Sequence, residues 1–172
     1  GIGSGRRGLE PLLDAIEQLQ GAAIPASVLE SEVLPARVED FGPGMLDTLM
    51  AAGEVTWVGV ESLGERDGRI ALYLTDHLRR LKRPADSEPD IKGREAEILS
   101  YLRDHGASFF TAIHEATGSG FPQESVDALW SLVWKGLITN DTLHPLRAFT
   151  RTDEDRSPRV SRRASRRTGG PA

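Results

Sequence analysis

Apolar residues recur at three- and four-residue steps in several separate stretches, and the widest such face lies near the middle of the second half. Val126, Leu129, Trp130, Leu132, Val133 and Leu137 share one side of a helix. Gly136 predicts the helix end, because glycine takes the left-handed cap conformation without steric cost. Leu137-Ile138-Thr139 then reads as a short strand, and Asn140-Asp141 as a turn. Helix, glycine stop, strand and turn predict the third helix and first wing strand of a winged helix-turn-helix unit.

The same order occurs earlier in the chain. Leu9, Leu12, Leu13, Ile16 and Leu19 predict an amphipathic helix over residues 9–20, with Pro11 in its first turn. A second element starts at Ile24-Pro25-Ala26-Ser27 and is limited by Pro35. Met45, Leu46, Leu49 and Met50 predict a third helix stopped by Gly53. Val55–Val60 and Arg69–Leu74 are β-branched and aromatic-rich, and read as a hairpin around Asp67-Gly68. Asp76–Leu81 predicts a short helix carrying Arg79 and Arg80, and RPADSEPD (83–90) reads as a linker.

The second half repeats the pattern. Arg94–His105 predicts a helix, Ser108 caps another that carries Phe109, Phe110 and Ile113, and Gly118 ends it. Leu46, Leu49, Gly53 and Val55 align without gaps on Leu129, Leu132, Gly136 and Ile138. Leu146-Arg147-Ala148-Phe149 is left to act as the return strand of a degenerate second wing. The expected class is mainly α with short β-hairpins (α+β), arranged as tandem winged helix-turn-helix domains. The expected boundaries are a glycine-rich lead over 1–7, one winged helix over 8–82, a linker over 83–91, a second winged helix over 92–149, and a basic, disordered tail over 150–172.

Charge changes the functional expectation. The net charge is −5 over 172 residues, but from Leu146 onward eight Arg face three acids, so the tail carries +5 and the rest −10. An acidic body does not resemble a free-standing nucleic-acid binder with a basic face. Cysteine is absent, which excludes disulfides and thiolate metal sites and fits a reducing, cytoplasmic interior. No apolar run approaches the roughly 18 residues of a membrane span. The opening GIGSGRRG has neither an initiator Met nor an apolar signal core and reads as a cut from a longer chain.

Three strings, IEQLQGAAIPASVLESEVLPARV, LDTLMAAGEVTWVGV and LWSLVWKGLITNDTLHPLRA, resemble the C-terminal region of the long bacterial Lhr-type (large helicase-related) superfamily 2 helicases, and the similarity covers most of residues 8–148. The resemblance implies an ATP-dependent core that translocates on single-stranded DNA, followed by winged-helix modules and a β-barrel similar to alkylpurine glycosylases. Uracil-DNA glycosylase activity has been attributed to the C-terminal region of some members. No GxxxxGK[ST] loop, DExH box or helicase arginine motif occurs here, so ATP and Mg would belong to the parent's core and no cofactor to this stretch. The tail corresponds to the family's linker before the barrel. The implied partners are single-stranded or forked DNA, other domains of the parent helicase and further copies of the chain in a homo-oligomer, with no membrane.

Candidate chemistry is sparse. Gln18-Leu19-Gln20 resembles the Gln-aliphatic-Gln/Asp motif with which alkylpurine glycosylases position a water, but its place in the domain order favours solvent-facing residues near a helix end. Glu30, Glu32, Glu39, Asp40 and Asp47 lack a spacing that implies a paired acid and base. His77, His105, His114 and His144 show no HxxxH spacing. Trp57, Trp130 and Trp134 could stack on bases, although Trp57 and Trp130 fit core packing better and Trp134 fits an inter-domain surface. Asp47 and Thr48 in one third helix, and Gln123, Ser125, Asp127, Ser131 and Lys135 in the other, are the exposed polar positions, a poor set of phosphate or guanine ligands. The expected nucleic-acid contacts are therefore Arg66 and Arg69 on the first wing, Lys135, Asn140, Thr142 and Arg147 around the second, and Arg159, Arg162, Arg163, Arg166 and Arg167 in the tail. Turn formation competes as the role of Asn140 and Thr142, and a solubilising linker as the role of the tail. A non-catalytic scaffold with weak, sequence-independent DNA binding is the expected function, with a pure protein-interaction scaffold or part of a glycosylase module as alternatives.

Overall fold

The computed structural model describes residues 8–82, 89–118 and 120–151. Helix α1 spans Glu10–Leu19 with Pro at its start, and buries Leu12, Ala15, Ile16 and Leu19 on one face. Strand β1 is the two-residue Ile24–Pro25. Helix α2 begins at Ala26–Val28 and widens into a π-helical turn over Leu29–Val33. The widening shows in the bond from Leu34 N to Leu29 O, which spans five residues, just before Pro35. Helix α3 spans Pro43–Ala51 and buries Leu46, Leu49 and Met50. Strands β2 (Val55–Leu63) and β3 (Asp67–Leu74) form the expected hairpin. The sheet order is β1-β3-β2, all antiparallel, with Ile24 opposite Ile70, Trp57 opposite Leu72, and a bulge between Gly59 and Glu61.

Alternation along the hairpin covers both of its faces. Val55, Trp57, Ile70 and Leu72 join α1, α2 and α3 in the main core. Val58, Ala71 and Tyr73 face the other way, against Leu78 of helix α4 (Leu78–Leu81), which follows a 3-10 turn over Thr75–His77.

The second half contributes α5 (Arg94–His105), α6 (Phe110–Thr117), α7 (Pro122–Trp134) and α8 (His144–Thr150). Ile98, Ile113 and Leu132 form a small core of their own, one from each of α5, α6 and α7. The ends of α3 and α7 are built alike. Gly53 and Gly136 both have φ of 72°, and Glu54 N bonds Leu49 O as Leu137 N bonds Leu132 O. This is the six-to-one bond of a glycine-stopped helix end.

After that shared stop the two halves diverge, and three expectations are corrected. Leu137-Ile138-Thr139 runs on without strand pairing. Leu146–Phe149 is not a return strand but lies inside α8, whose first turn holds Pro145. Leu146 and Phe149, three residues apart, turn their side chains to the core and to Trp130. Ser108 does not cap α6: Phe109 occupies the cap, and the Ser108 hydroxyl donates to Gly106 O.

The second half also packs on the first. Val133, Leu143 and Leu146 belong to the main core with Trp57. The indole Nε1 of Trp57 donates to Thr142 O at 3.1 Å, and the Thr139 hydroxyl donates to Trp57 O. Trp134, stacked on Trp130 at 5.6 Å, lies against Gly68 of β3, as expected for a side chain covering the joint between the halves.

Candidate nucleic-acid interface

In a winged helix the third helix and the wing are the elements placed to meet nucleic acid. Here Asp47 of α3 is already in use, while Thr48 stays exposed. Arg147 of α8 donates from Nε and Nη2 to Glu30 of α2 (2.8 and 2.5 Å), and from Nη2 and Nη1 to Asp47 of α3 (2.8 and 3.2 Å). Hydrogen bonds with Glu30, opposed by burial and reinforced by Asp47, raise the Arg147 pKa above the ordinary arginine range. Bidentate guanidinium–carboxylate geometry is the strong form of this contact. Arg147 thus holds α8 onto the helix-turn-helix, with its guanidinium committed to two carboxylates.

The other expected residues near the second unit are also occupied. Lys135 Nζ donates to both oxygens of Glu95 (3.2 and 2.9 Å) and to Asp90 O (3.3 Å). Burial alone would raise the Glu95 carboxyl, but bonds from Ser131 and Lys135 and the Lys135 charge outweigh it and leave the carboxyl lowered. Asn140 Oδ1 accepts from Thr142 N (2.9 Å) and Thr142 Oγ1 (3.2 Å), the local turn that Asn favours. Ser125, expected on the outside of α7, is fully buried. Its hydroxyl meets Arg94 Nη1 at 3.0 Å and His114 Nδ1 at 2.7 Å, tying α5, α6 and α7 together.

On the wing, Arg66 is exposed in the turn between β2 and β3. Arg69 pairs with Glu61, the residue opposite it in the register. Asp67 fixes this turn by accepting from Gly68 N (2.8 Å) and Ser27 N (3.1 Å). At the other end of the hairpin, Arg79 and Arg80 of α4 are exposed and have no ion pair among the described residues. The sequence placed these two arginines on a short helix without counting them as contacts. The orientation comes from Leu78, which packs on Val58, Ala71 and Tyr73 and leaves the neighbouring Arg79 and Arg80 in solvent. Arg159, Arg162, Arg163, Arg166 and Arg167 lie outside the described residues.

The remaining candidates hold structure. Gln20 Oε1 accepts from Leu74 N (3.0 Å), and its Nε2 meets His77 Nδ1 (3.2 Å), so it joins the end of α1 to the end of β3. Trp57 is buried, and Trp130, Trp134 and Phe149 form one aromatic cluster. Among the described residues no group of His, Asp and Glu could hold a metal ion, and no helix is long and apolar enough to cross a membrane.

Comparison with known proteins gives the same family as the sequence strings. Residues 1–75 match the family described as large helicase-related protein, winged-helix domain. The chain is 41% identical over 168 residues to the Lhr helicase/uracil glycosylase of Escherichia coli (strain K12), covering 92% of this chain and 11% of that protein. It is 39% identical over 166 residues to the Lhr helicase/probable uracil glycosylase of Mycolicibacterium smegmatis, covering 90% of this chain and 11% of that protein. The chain therefore belongs to the Lhr helicase-related family, as a segment homologous to about a tenth of its full-length relatives and including their winged-helix domain.

Proposed function

We propose that this chain is a non-catalytic, tandem winged-helix module of an Lhr-like DNA repair helicase. Residues 92–149 form its second unit, which lacks a wing. The module scaffolds neighbouring parts of the parent and copies of itself. It adds weak, sequence-independent contact to single-stranded or forked DNA through the first wing. The observation that carries this reading is the Arg147 clamp. The acids Glu30 and Asp47, which would repel a phosphate backbone, share the single cation Arg147 of the protein's own α8, so that cation is not available to a phosphate and the surface stays net acidic. Arg79 and Arg80 at the base of the hairpin are exposed with no ion pair among the described residues, and Arg66 is an exposed cation in the wing turn of the same hairpin.

Fluorescence anisotropy with a labelled fork and a labelled dT oligonucleotide tests the reading. Binding is expected at low salt and falls as salt rises, with a log–log slope of about −1 to −3 for one to three neutralised phosphates. Arg66→Ala combined with Arg79→Ala and Arg80→Ala weakens it, whereas Thr48→Ala on α3 leaves it unchanged. Loss on Thr48→Ala alone would put the third helix on the DNA and sink the proposal. Absence of binding even at low salt would leave the scaffold role alone.

A further inference from the structure

The two units differ by one strand, and the difference leaves a groove. In the first unit the sheet order puts β3 between β1, which precedes the second helix, and β2, which follows the third. The counterparts in the second unit are Ala107-Ser108, between α5 and α6, and Ile138–Asn140, which follows the glycine stop of α7 just as β2 follows that of α3. A middle strand is missing among the described residues. An apolar cavity of about 330 Å³ is lined by both of these stretches, Ala107-Ser108 and Ile138–Asp141, with Phe110 and Trp130 among its walls. That is about twice the ~150 Å³ apolar cavity that holds a benzene molecule, so more than one side chain fits. No backbone hydrogen bond engages Ile138, Thr139 or Asn140 among the described residues. A backbone stretch without backbone hydrogen bonds beside an apolar groove is what strand addition requires.

We propose that this groove binds one extended segment of a partner polypeptide, added as the missing middle strand of the second unit. The inference rests on the reading of residues 92–149 as a winged-helix unit. The first unit shows the chemistry the segment needs. Its middle strand buries Ile70 and Leu72 completely, at alternate positions, under the three helices. The partner strand therefore carries aliphatic residues at alternate positions. Asp141 is the charged residue in the lining and has no ion pair among the described residues, so a Lys or Arg flanks the strand at that end. The same carboxylate, with no cation in the lining, disfavours a nucleic-acid strand.

The probe is a synthetic peptide repeating residues 67–74 (DGRIALYL) with two lysines appended, against a scrambled peptide that breaks the alternation. Residue-level hydrogen exchange by NMR is measured on the chain alone and with each peptide. In the free chain the Ile138–Asn140 amides are expected to exchange fast; protection there would mean that this stretch is already paired and that the strand site is not open. The alternating peptide is expected to slow at least one of these amides tenfold or more, while the scrambled peptide does not. Ala107→Trp, at an exposed groove position, is expected to abolish that protection with the melting temperature unchanged. Fast exchange at saturating peptide overturns the strand site and leaves the unit reading intact. Protection appearing in β1 or β2 instead, or produced here by a dT oligonucleotide, also overturns it.

Discussion

The carbonyl of Val133, at the end of α7, rests against the backbone of Gly59 in β2, where a Cβ would overlap it. The contact places the third helix of one half on the wing of the other. Gly68 does the same for the Trp134 ring. These two glycines are needed for close approach, since neither has a positive φ.

Gly59→Ala is therefore expected to destabilise the chain by about 1–3 kcal/mol, the usual range for overpacking. Gly44→Ala is the matched control. Gly44 lies inside α3 and a Cβ there meets nothing within 4 Å. Alanine is expected to stabilise at that position by roughly 0.5–1 kcal/mol, because glycine loses more backbone freedom on folding. Urea unfolding of the two variants, read as midpoints at constant slope, checks the opposite signs.

Much of this fold was legible in the sequence because its signals are local. Pro11, Gly53, Gly118 and Gly136 mark helix ends, and alternation marks the hairpin. Leu146-Arg147-Ala148-Phe149 is too short a stretch to tell a strand from a helix by period, and it lies in a helix that sets Phe149 against Trp130 at 4.5 Å. The candidate site was less legible still. Arg147 looked like a free cation beside a turn, whereas its partner Glu30 is 117 residues away in the chain. Periodicity carries no information about a pairing at that separation.

Arg147→Ala removes one cation from between two carboxylates. The pair with Glu30 is 20% exposed on both sides, so the loss is discounted from the cost of breaking a fully buried pair. A destabilisation of about 1–2 kcal/mol is expected, and Arg147→Lys recovers only part of it because lysine cannot make the paired fork. In a double-mutant cycle with Glu30→Gln the two losses are expected to be non-additive. Additive losses would mean that the clamp contributes no coupling.

Glu95 gives a pH dependence with a definite sign. Its carboxyl is lowered below the ordinary value of 4.5, so the folded chain binds that proton less readily than the unfolded chain. The stability it contributes is fully present above pH 4.5 and is lost as pH falls through the lowered folded value. Glu95→Gln is expected to be less stable than the wild type at pH 7, and the gap to close in acid below that window. A gap that stays constant from pH 7 to pH 3 would show that the Lys135–Glu95 pair does not act through charge.

The two halves are expected to unfold together. Trp57 is capped by Thr142, accepts from Thr139 and shares a core with Val133, Leu143 and Leu146. A chain ended after Lys82 keeps all of α1–α3 and the hairpin but strips that cover from Trp57. Its indole N–H and its carbonyl exchange their partners Thr142 and Thr139 for water, so the main loss is the apolar cover from Val133, Leu143 and Leu146. The shortened chain is therefore expected to melt well below the full one and to bind a hydrophobic dye such as ANS. In the full chain, tryptophan fluorescence and far-UV circular dichroism are expected to report one coincident urea transition. Two separated transitions would mean that Arg147, Trp134 and Val133 join the halves without coupling their stability.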